Sequence, residues 1–398
     1  MSSFAKNAIV LGLLSAVGPF AIDMYLPALP AIAADLHAST LATQMTLMSF
    51  FVAFGLCQIV YGPVSDMVGR KPPLFVGLAL FVIGSVGCGL APSIETLVAA
   101  RFVQGLGGAS VMVIPRAIIR DMHTGLEATR LMSLIMLVIS VSPILAPLAG
   151  SALIVPFGWR AVFAAVTLVA LVTLLLLAFA QEETHPPENR MRLRIGAVLS
   201  GFGFLLREPR FLGLTFVGGF GMASFFVFIA NASFVYIDHF GLTPTQFSLL
   251  FAVNAVGFIG ASQFATNLSA RFGMARVVKT ALALYAIFAL ALLGVTLAGA
   301  ASLGVLVVLL FLAFANLGLV IPTTMVLALE DHGPIAGLAS ALGGTLQMIT
   351  GGVMIAVSGL FFDGTARPMV GAIAVCAVAA LTLALVTPKP KQALRAAE

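Results

Sequence analysis

The sequence predicts an all-α integral membrane protein with twelve spanning helices in two pseudo-symmetric six-helix bundles. Three observations predict it: extreme apolarity, twelve long apolar runs, and a polar stretch midway with a weak repeat across it. Of 398 residues, 61% are hydrophobic and 9% charged, and the mean hydropathy is +1.13. Soluble domains carry roughly 45–50% apolar and about 25% charged residues. A bilayer core about 30 Å thick takes about 20 apolar residues of helix. Strand-like alternation is absent and the runs are long, so helices do the spanning.

In chain order the spans fall near 8–33, 43–64, 73–92, 96–117, 130–155, 161–181, 210–236, 244–268, 276–297, 301–328, 335–361 and 367–387. The first follows Lys6 as a secretion signal would. It is long, contains Asp23 and prolines, and leads straight into further spans, so it is read as an uncleaved helix. The polar stretch "QEETHPPENRMRLR", 181–194, separates six spans from six. The organisation expected is an N-terminal bundle over 1–181, a cytoplasmic linker over 182–209, and a C-terminal bundle with a short cytoplasmic tail over 210–398. Within the linker, "IGAVLSGFGFLLREP" is short and Gly-rich, which suits an interfacial helix better than a span. The halves repeat weakly: "GPVSDMVGRKPPL" follows span two and "NLSARFGMARVV" follows span eight, with Gly69 aligned to Gly273. Paired six-helix halves are the pattern of a large class of transporters.

Charge orients the chain. With a cytoplasmic N-terminus, all of the 20 Lys and Arg except Arg101, Arg160 and Arg367 face the cytoplasm, as the positive-inside rule requires. Both termini are then cytoplasmic. The same bias accounts for the net charge of +5 without a nucleic-acid partner. Cys57, Cys88 and Cys376 sit in apolar runs and imply no disulfide framework. The two related halves make a functional monomer the expectation.

Of the fifteen acids, Asp23 is the one deep in a span. Such carboxylates are costly and mark ion or proton pathways. Arg101 is the one cation well inside a span. At 1.5 Å per residue, Asp23 lies about 22 Å from the inner end of span one and Arg101 about 8 Å below the outer end of span four. The two share a depth and form a plausible pair if those spans are neighbours. Proton affinity at a buried carboxylate depends on whether a cation stands beside it, so a contact that changes with conformation suits a proton-coupled carrier. A fixed salt bridge is the alternative. Pro19 and Pro27 lie four residues either side of Asp23 on its helix face. Pro27 leaves the Asp23 carbonyl without its helical donor, which suits a residue facing the protein interior.

Three stretches carry a resemblance. "GPVSDMVGRKPPL" is similar to the signature between helices two and three of the major facilitator superfamily, through Gly62, Asp66, Gly69, Arg70, Lys71 and Leu74. Gly69 permits a tight turn, and Asp66 can accept hydrogen bonds or meet the positive N-terminus of a helix. Met67 stands where the family usually has a basic residue. "RFVQGLGGASVMVIPRAIIRD" resembles the superfamily's second motif through Arg101, Gln104, Gly105 and Gly108, with Asp121 at the acidic position just beyond. "SVSPILAPLAGSAL" resembles the helix-five motif of drug:proton antiporters through Pro143, Pro147 and Gly150, without its upstream glycines. "AIDMYLPALP" resembles their helix-one motif. Over essentially its whole length the chain resembles the bicyclomycin and chloramphenicol resistance (Bcr/CflA) subfamily.

That resemblance implies the major facilitator fold and an antiporter in the bacterial inner membrane. It would export small apolar drugs such as phenicols or bicyclomycin by alternating access, driven by protons and using no cofactor. Asp23 and Arg101 are the expected proton-coupling residues. Gly62, Asp66, Gly69, Arg70, Lys71, Asp121, Pro143, Pro147 and Gly150 are the expected gating set. Tyr25, Gln104, Met112, Phe225, Phe228, Asn231 and Tyr236 are candidate substrate contacts, the last four in the aromatic run "FFVFIANASFVY". Lipid-facing Phe is the plainer reading of that run. A proton-coupled carrier of a native metabolite, such as a nucleoside, amino acid or sugar, is the alternative. An enzyme is not expected: the five His lie in loops or at span ends, and no metal-binding HExxH run occurs. A channel lacks the required filter repeat.

Overall fold

The computed structural model describes residues 3–190 and 195–388. Arg192, Arg194, Lys389, Lys391 and Arg395, counted above among the cytoplasmic cations, lie outside these residues. Fourteen α-helices follow in order: α1 Ser3–Asp23, α2 Leu29–Asp35, α3 Thr40–Val68, α4 Lys71–Leu90, α5 Ile94–Met122, α6 Gly125–Phe157, α7 Arg160–Ala180, α8 Ile195–Leu205, α9 Pro209–Ser233, α10 Pro244–Phe272, α11 Met274–Leu297, α12 Leu303–Glu330, α13 Ala336–Leu360 and α14 Arg367–Val386. Twelve spans among the described residues are long and apolar enough to cross a membrane, with α1 and α2 joined in the first.

Local chemistry sets the ends. The Ser39 hydroxyl accepts the Ala42 N–H at 3.2 Å at the start of α3, and Ser93 with Thr96 forms a capping box at the start of α5. The first span departs from the single helix expected over 8–33. It breaks at Asp23, passes through a one-turn 3₁₀ segment Leu26–Ala28, and resumes as α2. With prolines at 27 and 30, the N–H donors needed to carry one helix through are missing.

The outside is apolar and the inside partly polar, the reverse of a soluble protein. Val76, Ile83, Leu90, Phe157 and Phe179 are exposed, while Thr43, Gln44, Thr46, Ser85 and Gln104 are fully buried. Lipid can take the first set; the second must find partners within the protein.

The chain divides into two compact units. One is Met1–Leu193 with Ser233–Ala252; the other is Arg194–Ala232 with Val253–Glu398. In the first, α4 packs on α5 and α7, α3 packs on α5, and α1 packs on α5, α6 and α7. In the second, α11 packs on α12 and α14. The third span of each half thus packs on its fourth and sixth, and the weak sequence repeat becomes a repeat of packing. The short helix α8 lies against α13.

Candidate functional site

Four stretches of the first unit meet at the break Ala21–Tyr25. The Met24 N–H closes the last helical bond to Phe20, which leaves the following carbonyls of α1 without helical donors. Arg101 takes one of them: its Nη1 donates to the Ala21 carbonyl at 3.1 Å. A cation there also meets the negative end of the helix dipole. From the other side α6 closes in at Gly150. A Cβ at that position would stand 1.8 Å from the Met24 carbonyl oxygen, so only glycine lets the helix-five motif reach the break.

Arg101 is fully buried. Its guanidinium carbon lies 4.5 Å from the Tyr25 ring centroid and 4.5 Å from that of Phe50, so two aromatic faces clamp the charge. Nη1 also donates to Gln104 Oε1 at 2.6 Å, Gln104 Nε2 donates to Ser85 Oγ at 2.7 Å, and Ser85 Oγ donates to the Phe81 carbonyl at 2.7 Å. This chain ties α5 to α4. Tyr25 is held in turn: its hydroxyl bonds Thr46 Oγ1, which donates to the Thr43 carbonyl at 2.6 Å. Nε and Nη2 of Arg101, both buried, find no hydrogen-bond acceptor among the described residues.

Asp23, 5% exposed, makes no hydrogen bond or ion pair among the described residues. Spans one and four are neighbours, the condition that a pair of the two charges needs. In this structure Arg101 nevertheless grips the backbone two residues before Asp23 and not its carboxylate. The unit thus holds a buried acid without a cation and, on the backbone two residues before that acid, a buried cation with two idle donors.

At the other end of this unit a second cluster surrounds the turn at Gly69, whose φ of +100° favours glycine. Arg70 forks onto Asp121, Nε to Oδ2 at 2.7 Å and Nη2 to Oδ1 at 3.2 Å, and its Nη1 reaches Asp66 and Ser65. Bidentate pairs of this kind are strong and directional. Lys71 Nζ donates to the Gln181 carbonyl at 2.6 Å. Glu183 completes the cluster. Its carboxylate accepts the backbone N–H of Arg70 at 2.8 Å, Lys71 at 3.0 Å and His185 at 2.9 Å, and so caps the N-terminus of α4. Burial would raise this carboxyl; the N–H bonds of Arg70, Lys71, His185 and Thr184 outweigh that and hold it below its ordinary value.

Among the remaining expected residues, Gly62 lends its carbonyl to Ser65 Oγ at 2.8 Å. The Pro147 carbonyl accepts Ser248 Oγ at 2.9 Å, while Pro143 lies half-buried in α6. The Met112 side chain faces Gly18 of α1. In the second unit Phe225 stacks on Phe258 at 5.4 Å and meets Phe314 edge-on at 5.7 Å, and Phe228 lies 5.1 Å from Phe314. Asn231 Nδ2 donates to the Val227 carbonyl at 2.8 Å and to Ser358 Oγ at 3.1 Å. Phe228 and Asn231 are buried, and Phe225 is partly exposed. Tyr236 belongs to the first unit, in a π-helical turn Phe234–His239, 5.9 Å from Phe247. Such turns interrupt α-helices, frequently at functional sites.

Sequence reasoning missed Phe50, Ser85 and Glu183. Nothing in the local sequence marks Phe50 or Ser85, because their roles depend on which helices pack together. Glu183 had a signal in "QEETHPP": an acid cluster just after a span, able to reach a helix N-terminus on the same side of the membrane.

The model of the Major Facilitator Superfamily matches residues 11–355. The chain is 37% identical over 367 residues to the uncharacterized MFS-type transporter YdgK of Bacillus subtilis (strain 168), covering 91% of this chain and 90% of that one. It is 31% identical over 370 residues to the bicyclomycin resistance protein homolog of Haemophilus influenzae, covering 93% of each. Among solved structures, the D-xylose-proton symporter superposes with a TM-score of 0.76 at 17% identity, covering 98% of both chains, a likeness of fold.

Proposed function

The chain belongs to the major facilitator superfamily, a family of transporters and not of enzymes, and from that premise we propose that it is a proton-coupled antiporter exporting small apolar drugs. Drug-resistance relatives support the substrate class. One observation carries the coupling: Asp23 is buried without a cation, while Arg101, which holds the backbone carbonyl two residues before it, keeps two idle N–H donors. Loss of the Asp23 proton creates a carboxylate that needs donors, and Nε and Nη2 supply them. Re-protonation returns Arg101 to the Ala21 carbonyl. The break at residues 23–28 gives the acid room to move, and Gly150 and Pro147 of α6 sit where that movement must be accommodated.

Protons entering from outside bind Asp23 and favour the inward-facing return, and drug binding favours proton release. The membrane potential contributes about 2.3 kcal/mol per charge per 100 mV. The Arg70–Asp66–Asp121 cluster around Gly69 acts as the gate, and Tyr25, Gln104, Met112, Phe225, Phe228, Asn231 and Tyr236 contact substrate. The proposed setting is the bacterial inner membrane, with both termini cytoplasmic and a functional monomer.

Asp23→Asn tests the coupling. In a pump-deficient host it should abolish resistance, and in inverted vesicles it should abolish pH-driven uptake while drug binding persists. Wild-type resistance together with wild-type pH dependence would exclude Asp23 as the proton site.

A further inference from the structure

The two halves treat their glycine turns differently. In the first, Arg70 and Lys71 are engaged by Asp66, Asp121 and the Gln181 carbonyl. In the second, the turn at Gly273 is kept, with φ +84°, but Ala270 stands in the place of Asp66 and Met274 in that of Arg70. No acid occurs between Asp238 and Glu330. The charges left there are Arg271, Arg276 and Lys279, all exposed, and none forms an ion pair among the described residues. Arg271 merely lies 5.2 Å from the Phe272 ring.

Beside these cations runs a groove of about 310 Å³ between α10, α11 and α12. Leu268, Phe272, Leu284 and Leu319 form its apolar walls, Asn316 is a polar point along it, and Arg276 stands at its rim. From Gly273 to Leu284 is about 16 Å along the helix, close to half of a hydrocarbon core about 30 Å thick. The groove therefore has the reach of one leaflet, with positive charge at the headgroup end and hydrocarbon walls along the rest.

We infer that this groove binds an anionic phospholipid, its phosphate held by Arg271, Arg276 and Lys279 and an acyl chain lying between Leu268, Leu284 and Leu319. Basic juxtamembrane clusters attract such lipids by electrostatics, and here the missing acids leave the cations for that use. The second glycine turn has exchanged a protein counter-ion for a lipid one. The leaflet, which is cytoplasmic, rests on the topology proposed above; the site itself does not.

Native mass spectrometry of the purified protein tests it, with phosphatidylglycerol and phosphatidylcholine as probes. Wild type should prefer phosphatidylglycerol by on the order of tenfold. R271Q/R276Q/K279Q, which alters exposed side chains only, should lose that preference while keeping its elution profile. Leu284→Trp should weaken phosphatidylglycerol binding with every charge intact. Equal binding of the two lipids by wild type, or an unchanged preference in the triple variant, overturns the proposal. Full displacement by inorganic phosphate also overturns it, because the groove would then be idle. Ala275→Cys, probed in intact cells with a membrane-impermeant maleimide against the wild-type background, checks the leaflet alone. Labelling from outside overturns the leaflet and the topology behind it.

Discussion

Glu183 offers the sharpest test of the cluster around Gly69, because no general rule about transmembrane carboxylates applies to it. Its carboxylate accepts three backbone N–H groups, two of them at the N-terminus of α4. Loss of a helix cap costs about 0.5–2 kcal/mol, and a hydrogen bond to a charged group contributes about 1.5–3 kcal/mol. The site is only half-buried, so solvent recovers part of this; about 2 kcal/mol is the expected loss for Glu183→Ala. That is roughly a thirtyfold change in how often the strap 181–185 leaves the turn. Glu183→Gln keeps one acceptor and should lose about half as much. Thermal unfolding in detergent reads both, and drug export reads whether the gate around Arg70 depends on the strap.

The same residue predicts a pH dependence. Its carboxyl titrates below the ordinary value of 4.5. A depressed carboxyl stabilises fully above its unfolded value and loses that contribution as pH falls through its folded value. The stability gap between wild type and Glu183→Gln should be widest above pH 4.5 and should close as pH falls below it. If Glu183→Ala unfolds with wild type, exports like wild type, and shows a gap that does not move with pH, the strap is incidental.

Other expectations follow from the break in the first span. Gly150→Ala places a methyl 1.8 Å from the Met24 carbonyl; backbone must move, at about 1–3 kcal/mol, and resistance should fall more steeply than thermal stability, as susceptibility and unfolding measured side by side will show. Arg101→Lys keeps the charge but loses the planar group that lies on Tyr25 and Phe50 and bridges Ala21 to Gln104. Export should drop at least tenfold while the protein still folds; wild-type export by this variant would reduce the site to a bare point charge.

How far the sequence could be read divides along the same line as the chemistry. Hydropathy fixes the number of spans because each apolar run answers to one physical length, the thickness of the bilayer. Asp23 and Arg101 were conspicuous for the same reason: a charge among apolar residues needs an explanation wherever the helices go. Their partners were not legible, since a partner is a property of packing. Phe50 is one Phe among 31, and only the approach of α3 to α5 puts its ring over Arg101. Equal depth is an expectation about level alone, and depth says nothing about orientation around a helix. Arg101 reaches the backbone of α1 at Ala21, where the sequence leaves contact with the Asp23 side chain open. The prolines explain why it could. An unbroken helix would have used the Ala21 carbonyl itself, and Arg101 would have kept Gln104 as its acceptor without the tie to α1. By ending α1 at Asp23, the sequence frees the Ala21 carbonyl for Arg101, and the proposed coupling adds to it a carboxylate that exists only when a proton has left. On the proposed coupling, a carbonyl and a titratable carboxylate on one helix end are what would let a proton change a helix contact.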